Sequence, residues 1–400
     1  MTDYRWQLPD GVDELLPPTA RQMEHLRREV LDVFHRWGYD LIDPPVIEYL
    51  DSLLVGSGSD LDLQTLKALD LRSGRQLGVR ADMTSQAVRI DAQRTRQQSA
   101  GSDVARLCYS GAVVHANPSG VHESRVPIKA GAEIFGAPEP DADAEIVALM
   151  LDVLHHGGID EPVLVLGHMG IYNALIANAE LDPDQRAALF GAVQIKSEAD
   201  VASLLPAGTL RDQLMVLPNL MGDARVLTDA RRLLPAAPDA ALAALDALAD
   251  LSQRILSRVP AVQLRFDLAE LAGFGYHNGP IYSAYHSQLG RALARGGRYD
   301  GLGAAYGEHR AATGFDVSLR PLLATQQSFR AVRSIWVSHV SASVDDAEVR
   351  NALWRQVAEL RDAGQRVVVA LSAADRTAPD ECDRECLWRD GQWQIVNRSN

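Results

Sequence analysis

The sequence has few lysines, few cysteines and no long apolar run. Only three of its 39 basic residues are lysines, and the formal net charge of the 400 residues is −14. An acidic chain without a basic block has no electrostatic footprint for a polyanion, which argues against nucleic acid as the main partner. No apolar stretch reaches the roughly 20 residues that a membrane-spanning helix requires, so we expect no contact with a membrane.

The cysteines and the N-terminal residues indicate the cellular compartment of the protein. Cys108, Cys382 and Cys386 are odd in number and cannot form a disulfide framework. Cys382 and Cys386 lack a second pair of ligands, so we predict two incidental thiols and no metal site. Residues 1–10 are polar and have no apolar signal core, from which we expect a cytoplasmic protein.

Common catalytic and nucleotide-binding motifs are also missing. The sequence has no Walker loop, no G-x-G-x-x-G motif after a strand, no H-E-x-x-H motif and no nucleophile elbow. Its eleven histidines are scattered and form no cluster with metal-ligand spacing. We therefore predict neither a metal nor a cofactor.

Length and local composition predict the domain organisation. Four hundred residues indicate two or three domains. Residues 170–260 are rich in alanine and leucine, which predicts a helical insertion between two β-rich segments. Residues 325–328 are typical of a linker. We expect a core domain over 1–325, with that insertion inside it, and a small α/β domain over 330–400 in which Asp390-Gly391 forms a hairpin turn.

Local patterns predict the first helices. Apolar residues recur every three or four positions over 19–37, which predicts an amphipathic helix, and Thr19 with Gln22 has the spacing of a capping box. Thr84 is a candidate N-cap for the following helix. In the C-terminal part, a helix is expected over 344–363 with Leu353 and Trp354 on its apolar side.

Two patterns are candidates for a ligand site. Strands are expected over 104–116 and 126–135, and in the second strand Lys129, Gly131 and Glu133 alternate with apolar residues. This polar face of the strand either forms the floor of a ligand-binding site or is simply exposed to solvent. Residues 296–301 (GGRYDG) predict a tight glycine turn with close approach to the main chain, or a glycine-rich turn without function.

Five segments in order resemble histidyl-tRNA synthetases. Residues 292–302 (ALARGGRYDGL) resemble a histidine-specific glycine motif, and 275–282 (GYHNGPIY) resemble the second histidine-specific motif. The other three are 43–48 (DPPVIE), similar to the end of class II motif 1, 77–84 (LGVRADMT) and 129–136 (KAGAEIFG). The resemblance implies an α+β fold: a class II synthetase-like antiparallel sheet flanked by helices, with the helical insertion and the small C-terminal α/β domain.

Departures from the synthetase pattern fall on the phosphate-binding positions. In motif 2 of an active synthetase an arginine holds the ATP α-phosphate, and His115 takes its place here. Ala272 stands where the second histidine-specific motif begins with an arginine. Pro321 stands where motif 3 ends in one, with Arg320 one place early. Because adenylyl transfer depends on fixed cations around the phosphate, the resemblance implies that the chain activates no amino acid.

These departures resemble the synthetase paralogues that serve as regulatory subunits of short-form ATP phosphoribosyltransferase in histidine biosynthesis. That resemblance implies a non-catalytic subunit that forms a homodimer, assembles with the short-form catalytic subunit and responds to histidine as an effector. Two alternatives stay open. One is a functioning histidyl-tRNA synthetase with a degenerate sequence. The other is a class II-like ligase or a sensor module.

The resemblance also names residues for a histidine pocket. Asp82, Thr84 and Glu133 match positions around the amino group of the ligand, and Tyr276 matches one near its side chain. Two carboxylates and a hydroxyl are suited to an ammonium group.

Four further residues are candidates for the same site. Lys129 stands where the synthetases have a glutamine, and it weakens an ammonium site unless Glu133 neutralises it. His277 replaces a second tyrosine. Arg125 matches an arginine of the motif 2 loop, and Arg298 belongs to the glycine motif, where packing is the alternative role.

Overall fold

The chain folds into two compact units, Met1–Gln326 and Gln327–Asn400. The structure is a computed structural model. It describes residues 7–56, 59–97, 104–117, 124–271, 277–287, 289–325, 333–372, 374–375, 378–379 and 381–398.

The strands and helices over these residues have the following bounds. The strands are β1 Asp40–Leu41, β2 Ile47–Tyr49, β3 Leu66–Leu69, β4 Gln76–Val79, β5 Ala105–Ala112, β6 Ile128–Phe135, β7 Val163–His168, β8 Met221–Gly222, β9 Gln263–Asp267, β10 Pro280–Tyr285, β11 Ala292–Arg298, β12 Ala312–Ser318, β13 Ser334–Val337, β14 Arg366–Val369, β15 Arg384–Arg389 and β16 Gln392–Asn397. The α-helices are α1 Thr19–Arg36, α2 Leu50–Leu53, α3 Ser59–Gln64, α4 Thr84–Gln97, α5 Pro140–His156, α6 Met169–Ile176, α7 Pro183–Gln194, α8 Glu198–Leu204, α9 Thr209–Val216, α10 Arg225–Leu233, α11 Asp239–Arg258, α12 Leu319–Leu323, α13 His339–Ala342 and α14 Ala347–Asp362.

A large, mostly antiparallel sheet organises the first unit. Over the described residues its order is β1-β5-β6-β12-β11-β10-β7-β9-β8. The run from β5 to β7 is antiparallel, and only β1 with β5 and β7 with β9 are parallel. Alternate residues of β6, including Ala130 and Ala132, join the buried cluster formed with α1 and α5. This mixed helix and sheet arrangement confirms the expected α+β fold class.

The opposite face of the sheet carries a second buried cluster. Here α4 packs on β5 and β6, with Val88 of the helix beside Leu107 and Phe135 of the strands. The segment predicted as a helical insertion holds α6 to α11 and only one short strand, β8. None of the described helices is long and apolar enough to cross a membrane.

Several local predictions are wrong, each for a physical reason. Helix α1 has Pro18 at its N-cap, without a side-chain cap, so Thr19 lies inside the helix and no capping box forms. Thr84 is likewise the first residue of α4, and its hydroxyl contacts Tyr109 instead of capping the helix. The glycine motif is a turn only at its end: Gly296 and Gly297 lie within β11, paired with β10 and β12, and the turn follows at Asp300 and Gly301.

The second unit is a small α/β fold. Its sheet has the order β14-β13-β15-β16 over the described residues, with β16 antiparallel to β15. The predicted hairpin is confirmed, because Asp390 and Gly391 have φ of 51° and 77°, which a type I′ turn requires. In α14 Leu353 is buried but Trp354 is half exposed, because successive helical residues point about 100° apart and cannot share one side.

Candidate functional site

A cavity of about 590 Å³ lies on the face of the large sheet that carries Glu133. It brings together four of the residues predicted from the sequence: Asp82, Thr84, Glu133 and His277. Strands β6, β10, β11 and β12 form its floor, and the start of α4 forms one wall. Its other polar lining residues are Gln64, Gln194, Glu270, Ser283, Tyr285, Arg295, Tyr299 and Asp316.

Glu133 is the central acidic group of this cavity. Its side chain is 1% exposed. The hydroxyl of Tyr109 donates to Oε1 at 2.8 Å, and the hydroxyl of Tyr299 donates to Oε2. Burial raises the pKa of Glu133 to about 8, although hydrogen bonds from these hydroxyls act to lower it. A ligand cation would supply the charge partner that the buried carboxyl lacks.

Two glycines make room for this arrangement. Tyr109 of β5 and Gly131 of β6 are register partners, and a Cβ at Gly131 would lie 2.6 Å from the phenol ring of Tyr109. Gly314 of β12 is the partner of Glu133, and a Cβ there would collide with the glutamate carboxyl. Because Gly131 and Gly314 have no side chains, the side chains of Tyr109 and Glu133 can lie directly over the neighbouring strands.

Asp82 supplies a second carboxyl at the wall of the cavity. Its Oδ1 accepts a hydrogen bond from the backbone N–H of Thr84, which orients it at the start of α4. Burial raises the pKa of Asp82, and the positive charge of Lys129 opposes this shift. Two carboxyls and the Thr84 hydroxyl therefore converge on one end of the cavity, a donor set suited to an ammonium group.

A second cavity of about 570 Å³ adjoins the first and shares Arg295 and Asp316 with it. Lys129 lines this second cavity, where its Nζ lies 2.9 Å from Oδ2 of Asp316. Burial acts to lower the pKa of Lys129, but the carboxylates of Asp316 and Asp82 raise it above its ordinary value. The ammonium group of Lys129 is thus paired with Asp316 and not with Glu133.

Two of the altered phosphate-binding positions also line the second cavity, His115 and Pro321. The His115 Nε2 lies 3.2 Å from the carbonyl of Ala81, and burial together with the nearby Lys129 lowers the pKa of this imidazole. A neutral imidazole and a proline ring provide no fixed cation for a phosphate. Arg320 forms an ion pair with Asp13.

Two candidate residues have structural partners elsewhere. The Arg125 Nε donates to the carbonyl of His115 at 3.0 Å and so braces the backbone of the motif 2 segment. Arg298 forms a buried ion pair with Asp143 of α5, at 2.8 Å, and does not line either cavity. Tyr276 and Ala272 lie outside the described residues.

Sequence reasoning missed several residues of the site. The sequence predicts no binding role for Tyr109, Tyr299 or Asp316. Tyr109 lies in a predicted strand, but its partner Gly131 is 22 positions away, and the register that joins them is not readable from either segment. Within the described residues no group of histidine, cysteine, aspartate or glutamate side chains could hold a metal ion.

Family models match two parts of the chain. The model described as "Histidyl-tRNA synthetase" matches residues 11–322. The model described as "ATP phosphoribosyltransferase subunit HisZ C-terminal domain" matches residues 339–396. The change of family between the two matches lies close to the division of the structure into two units.

Curated relatives match nearly the whole chain. The ATP phosphoribosyltransferase regulatory subunit of Pseudomonas paraeruginosa is 43% identical over 398 residues, covering 98% of both chains. The protein of the same name from Pseudomonas aeruginosa is 43% identical over 399 residues, again covering 98% of both.

Solved structures show the same fold. A crystal structure titled ATP phosphoribosyltransferase regulatory subunit/histidyl-tRNA synthetase, from Bacillus halodurans, has a TM-score of 0.80 at 26% identity, covering 94% of this chain and 96% of the other. Histidyl-tRNA synthetase from Nostoc has a TM-score of 0.75 at 15% identity, covering 98% and 97%, which is a likeness of fold alone.

Proposed function

This chain belongs to the family of ATP phosphoribosyltransferase regulatory subunits. We propose that binding of an amino acid in its first cavity changes the activity of the catalytic subunit that it binds. It is a regulatory subunit of the first step of histidine biosynthesis and not an enzyme by itself. The observation that carries this conclusion is the match to curated regulatory subunits over 98% of the chain. The altered phosphate-binding positions agree with it, because His115 and Pro321 provide no fixed positive charge.

Histidine is the effector that we propose for the first cavity. The buried Glu133 and the nearby Asp82 form an anionic end that suits the ammonium of an amino acid. Removing one member of a buried hydrogen-bonded charge pair costs about 2–5 kcal/mol, so Glu133→Ala should abolish measurable histidine binding. Linkage then requires that histidine bind the idle state of the complex better than the active state.

We also propose that the chain forms a homodimer through the segment around β1. Leu41 of β1 is 61% exposed, and Val46 and Ile47 beside it are more than half exposed. An exposed apolar group at a sheet edge is typical of a surface that another chain covers. Sedimentation at micromolar concentration should give the mass of two chains, and Leu41→Glu should shift the protein to a monomer.

The decisive experiment measures the turnover of the catalytic subunit alone and mixed with this protein. We expect the mixture to turn over faster and histidine to inhibit it, and Glu133→Ala to weaken the inhibition more than the activation. Equal turnover and equal histidine sensitivity of the catalytic subunit alone would contradict the proposal.

We also propose that the 330–400 segment acts as a separate domain, and truncation before it tests whether it is needed for contact.

Adenylation separates this function from the synthetase alternative. The chain should not catalyse histidine-dependent exchange of pyrophosphate into ATP, nor charge tRNA with histidine. Exchange activity that Glu133→Ala removes would favour a synthetase instead.

A further inference from the structure

Arg295 occupies the wall between the two cavities. It lies on β11, in register between Ser283 of β10 and Asp316 of β12. Among the described residues it is the one basic residue that the linings of the two cavities share. Gly296, the next residue, allows close packing of β11 against β12, because a Cβ there would collide with the carbonyl oxygen of Gly314. The backbone that carries Arg295 is therefore held firmly in the sheet.

The charges around Arg295 leave its guanidinium without a protein anion. Lys129 takes the carboxylate of Asp316, and Arg320 takes that of Asp13. Within the part of the chain that the structure describes, the side chain of Arg295 makes no hydrogen bond or ion pair, although its register partner on β12 is an aspartate. An exposed guanidinium in a cavity wall is thus available to an anionic group of a ligand.

Arg295 also lies at a suitable separation from the anionic end of the first cavity. From Glu133 it is two strands across the sheet and two residues along it. With strand spacing near 5 Å and a rise near 3.4 Å per residue, the two α-carbons lie roughly 12 Å apart. The long arginine side chain and the shorter glutamate approach each other from these positions, which leaves between them a space of amino-acid size.

From this geometry we propose that Arg295 binds the carboxylate of the amino-acid effector whose ammonium lies at Glu133 and Asp82. The guanidinium supplies two parallel N–H donors, a geometry that matches a carboxylate. A ligand that spans the cavity in this way must carry both charges on one small molecule, so the site selects a free α-amino acid over an amine or an alcohol. The assignment rests on the proposed effector function, because it presumes that the cavity takes histidine.

The test compares L-histidine with L-histidinol, in which an alcohol replaces the carboxylate. Calorimetry on the full-length protein should show that histidine binds about 10- to 100-fold more tightly, the range expected for hydrogen bonds to a charged group. Arg295→Met keeps the length of the side chain and removes its charge. It should reduce histidine affinity to the level of histidinol and leave histidinol affinity unchanged, which also shows that the site is folded.

Arg291→Met is the matched control, because Arg291 lines the second cavity but not the first. It should keep the preference for histidine over histidinol. A preference that survives in Arg295→Met overturns the assignment of Arg295 while the effector function stands. Absence of histidine binding to the unaltered protein overturns both.

Discussion

Glu133 lies across the α-carbon of Gly314, so that a β-carbon at position 314 would overlap Oε2 of the glutamate. The two residues are register partners on β6 and β12. Tyr109 and Tyr299 each donate to one oxygen of the carboxyl, so it cannot turn aside without losing a hydrogen bond. The missing side chain at 314 therefore fixes where the acidic group of the cavity lies.

Gly314→Ala should disable the cavity and destabilise the protein. The added methyl group displaces Glu133, and overpacking of this kind costs about 1–3 kcal/mol of unfolding free energy. We expect lost histidine binding by calorimetry and a lower denaturant midpoint. Gly191→Ala is the control: apart from its chain neighbours and the backbone of its own helix α7, no atom lies within 4 Å of the place that a Cβ of residue 191 would take. The change should therefore be neutral or gain about 0.5–1 kcal/mol. Equal midpoints for Gly314→Ala and the unaltered protein would contradict the packing.

Histidine binding should release a proton at pH 7. Burial raises the pKa of Glu133 to about 8, so the free protein holds most of this group protonated at pH 7. The groups that face it are the Tyr109 and Tyr299 hydroxyls, the Thr84 hydroxyl and the Asp82 carboxyl. An ammonium placed beside Glu133 favours the carboxylate and lowers this pKa, so the proton leaves as the ligand enters.

Calorimetry in two buffers with different heats of ionisation measures that release. The apparent binding heat should differ between the buffers at pH 7, and affinity should rise as the pH increases from 6 to 8. Glu133→Gln should show no proton release and little binding. Identical heats in both buffers would show that Glu133 is already ionised or that the ammonium lies elsewhere.

Glu133→Gln should stabilise the protein at alkaline pH. The folded state holds the Glu133 proton up to about pH 8, whereas the unfolded chain loses it near its ordinary pKa of about 4.3. Between these values the folded state binds more protons, so the contribution of Glu133 to stability falls as the pH rises. The glutamine variant lacks this loss, and its advantage over the unaltered protein should grow from pH 5 to pH 8.5 in denaturant titrations.

The pKa of Glu145 is shifted in the opposite direction to that of Glu133. Burial acts to raise its pKa, but hydrogen bonds from Arg106 lower it below its ordinary value. The stability that this pair contributes is present above the ordinary pKa and is lost as the pH falls. Glu145→Gln should therefore destabilise the protein at pH 7, with a deficit that shrinks in acid. If both variants respond to pH in the same direction, one of the two assignments is contradicted, and the direction identifies which.

The sequence predicted the part of the site that lies within single strands. Alternation in β6 placed Lys129, Gly131 and Glu133 on one face, and that face does line the cavities. Alternation has a period of two and is local, so it needs no knowledge of neighbouring strands. The family resemblance added Asp82 and Thr84 from a distant segment, and the cavity brings them beside Glu133.

Features that depend on strand pairing could not be predicted. Lys129 meets Asp316 across β6 and β12, 187 positions apart, and only the register decides that this pair forms. The glycine motif predicts a turn over 296–301, but its first three residues belong to β11, and only the pairing with β10 and β12 shows this. A Cβ at Gly297 would meet His277 and Ile281, so the glycine is needed where other residues approach the strand and not where the chain reverses.

The last prediction concerns Arg298, which follows those glycines and has a structural role. Its Nη2 and Nε bond Oδ2 of Asp143 at 2.8 and 3.0 Å, and its Nη1 bonds the carbonyl of Ala137 at 3.2 Å. Both side chains of the ion pair are less than a tenth exposed. Breaking one side of a buried pair costs about 3–5 kcal/mol, because the other charge is left buried without a partner.

Arg298→Met should therefore lower the unfolding free energy by that amount. Asp143→Leu alone should cost less, because Arg298 keeps its ion pair with Asp300 at 3.3 Å. The double variant leaves no deeply buried charge unpaired, because Asp300, which also loses its partner, is 38% exposed. It should therefore recover a large part of the loss, which a denaturant double-mutant cycle measures. Because Arg298 lines neither cavity, the double variant should still bind histidine with unchanged affinity. Additive losses in the cycle would show that the two residues act separately. Loss of histidine affinity in a folded double variant would show that Arg298 contributes to histidine binding after all.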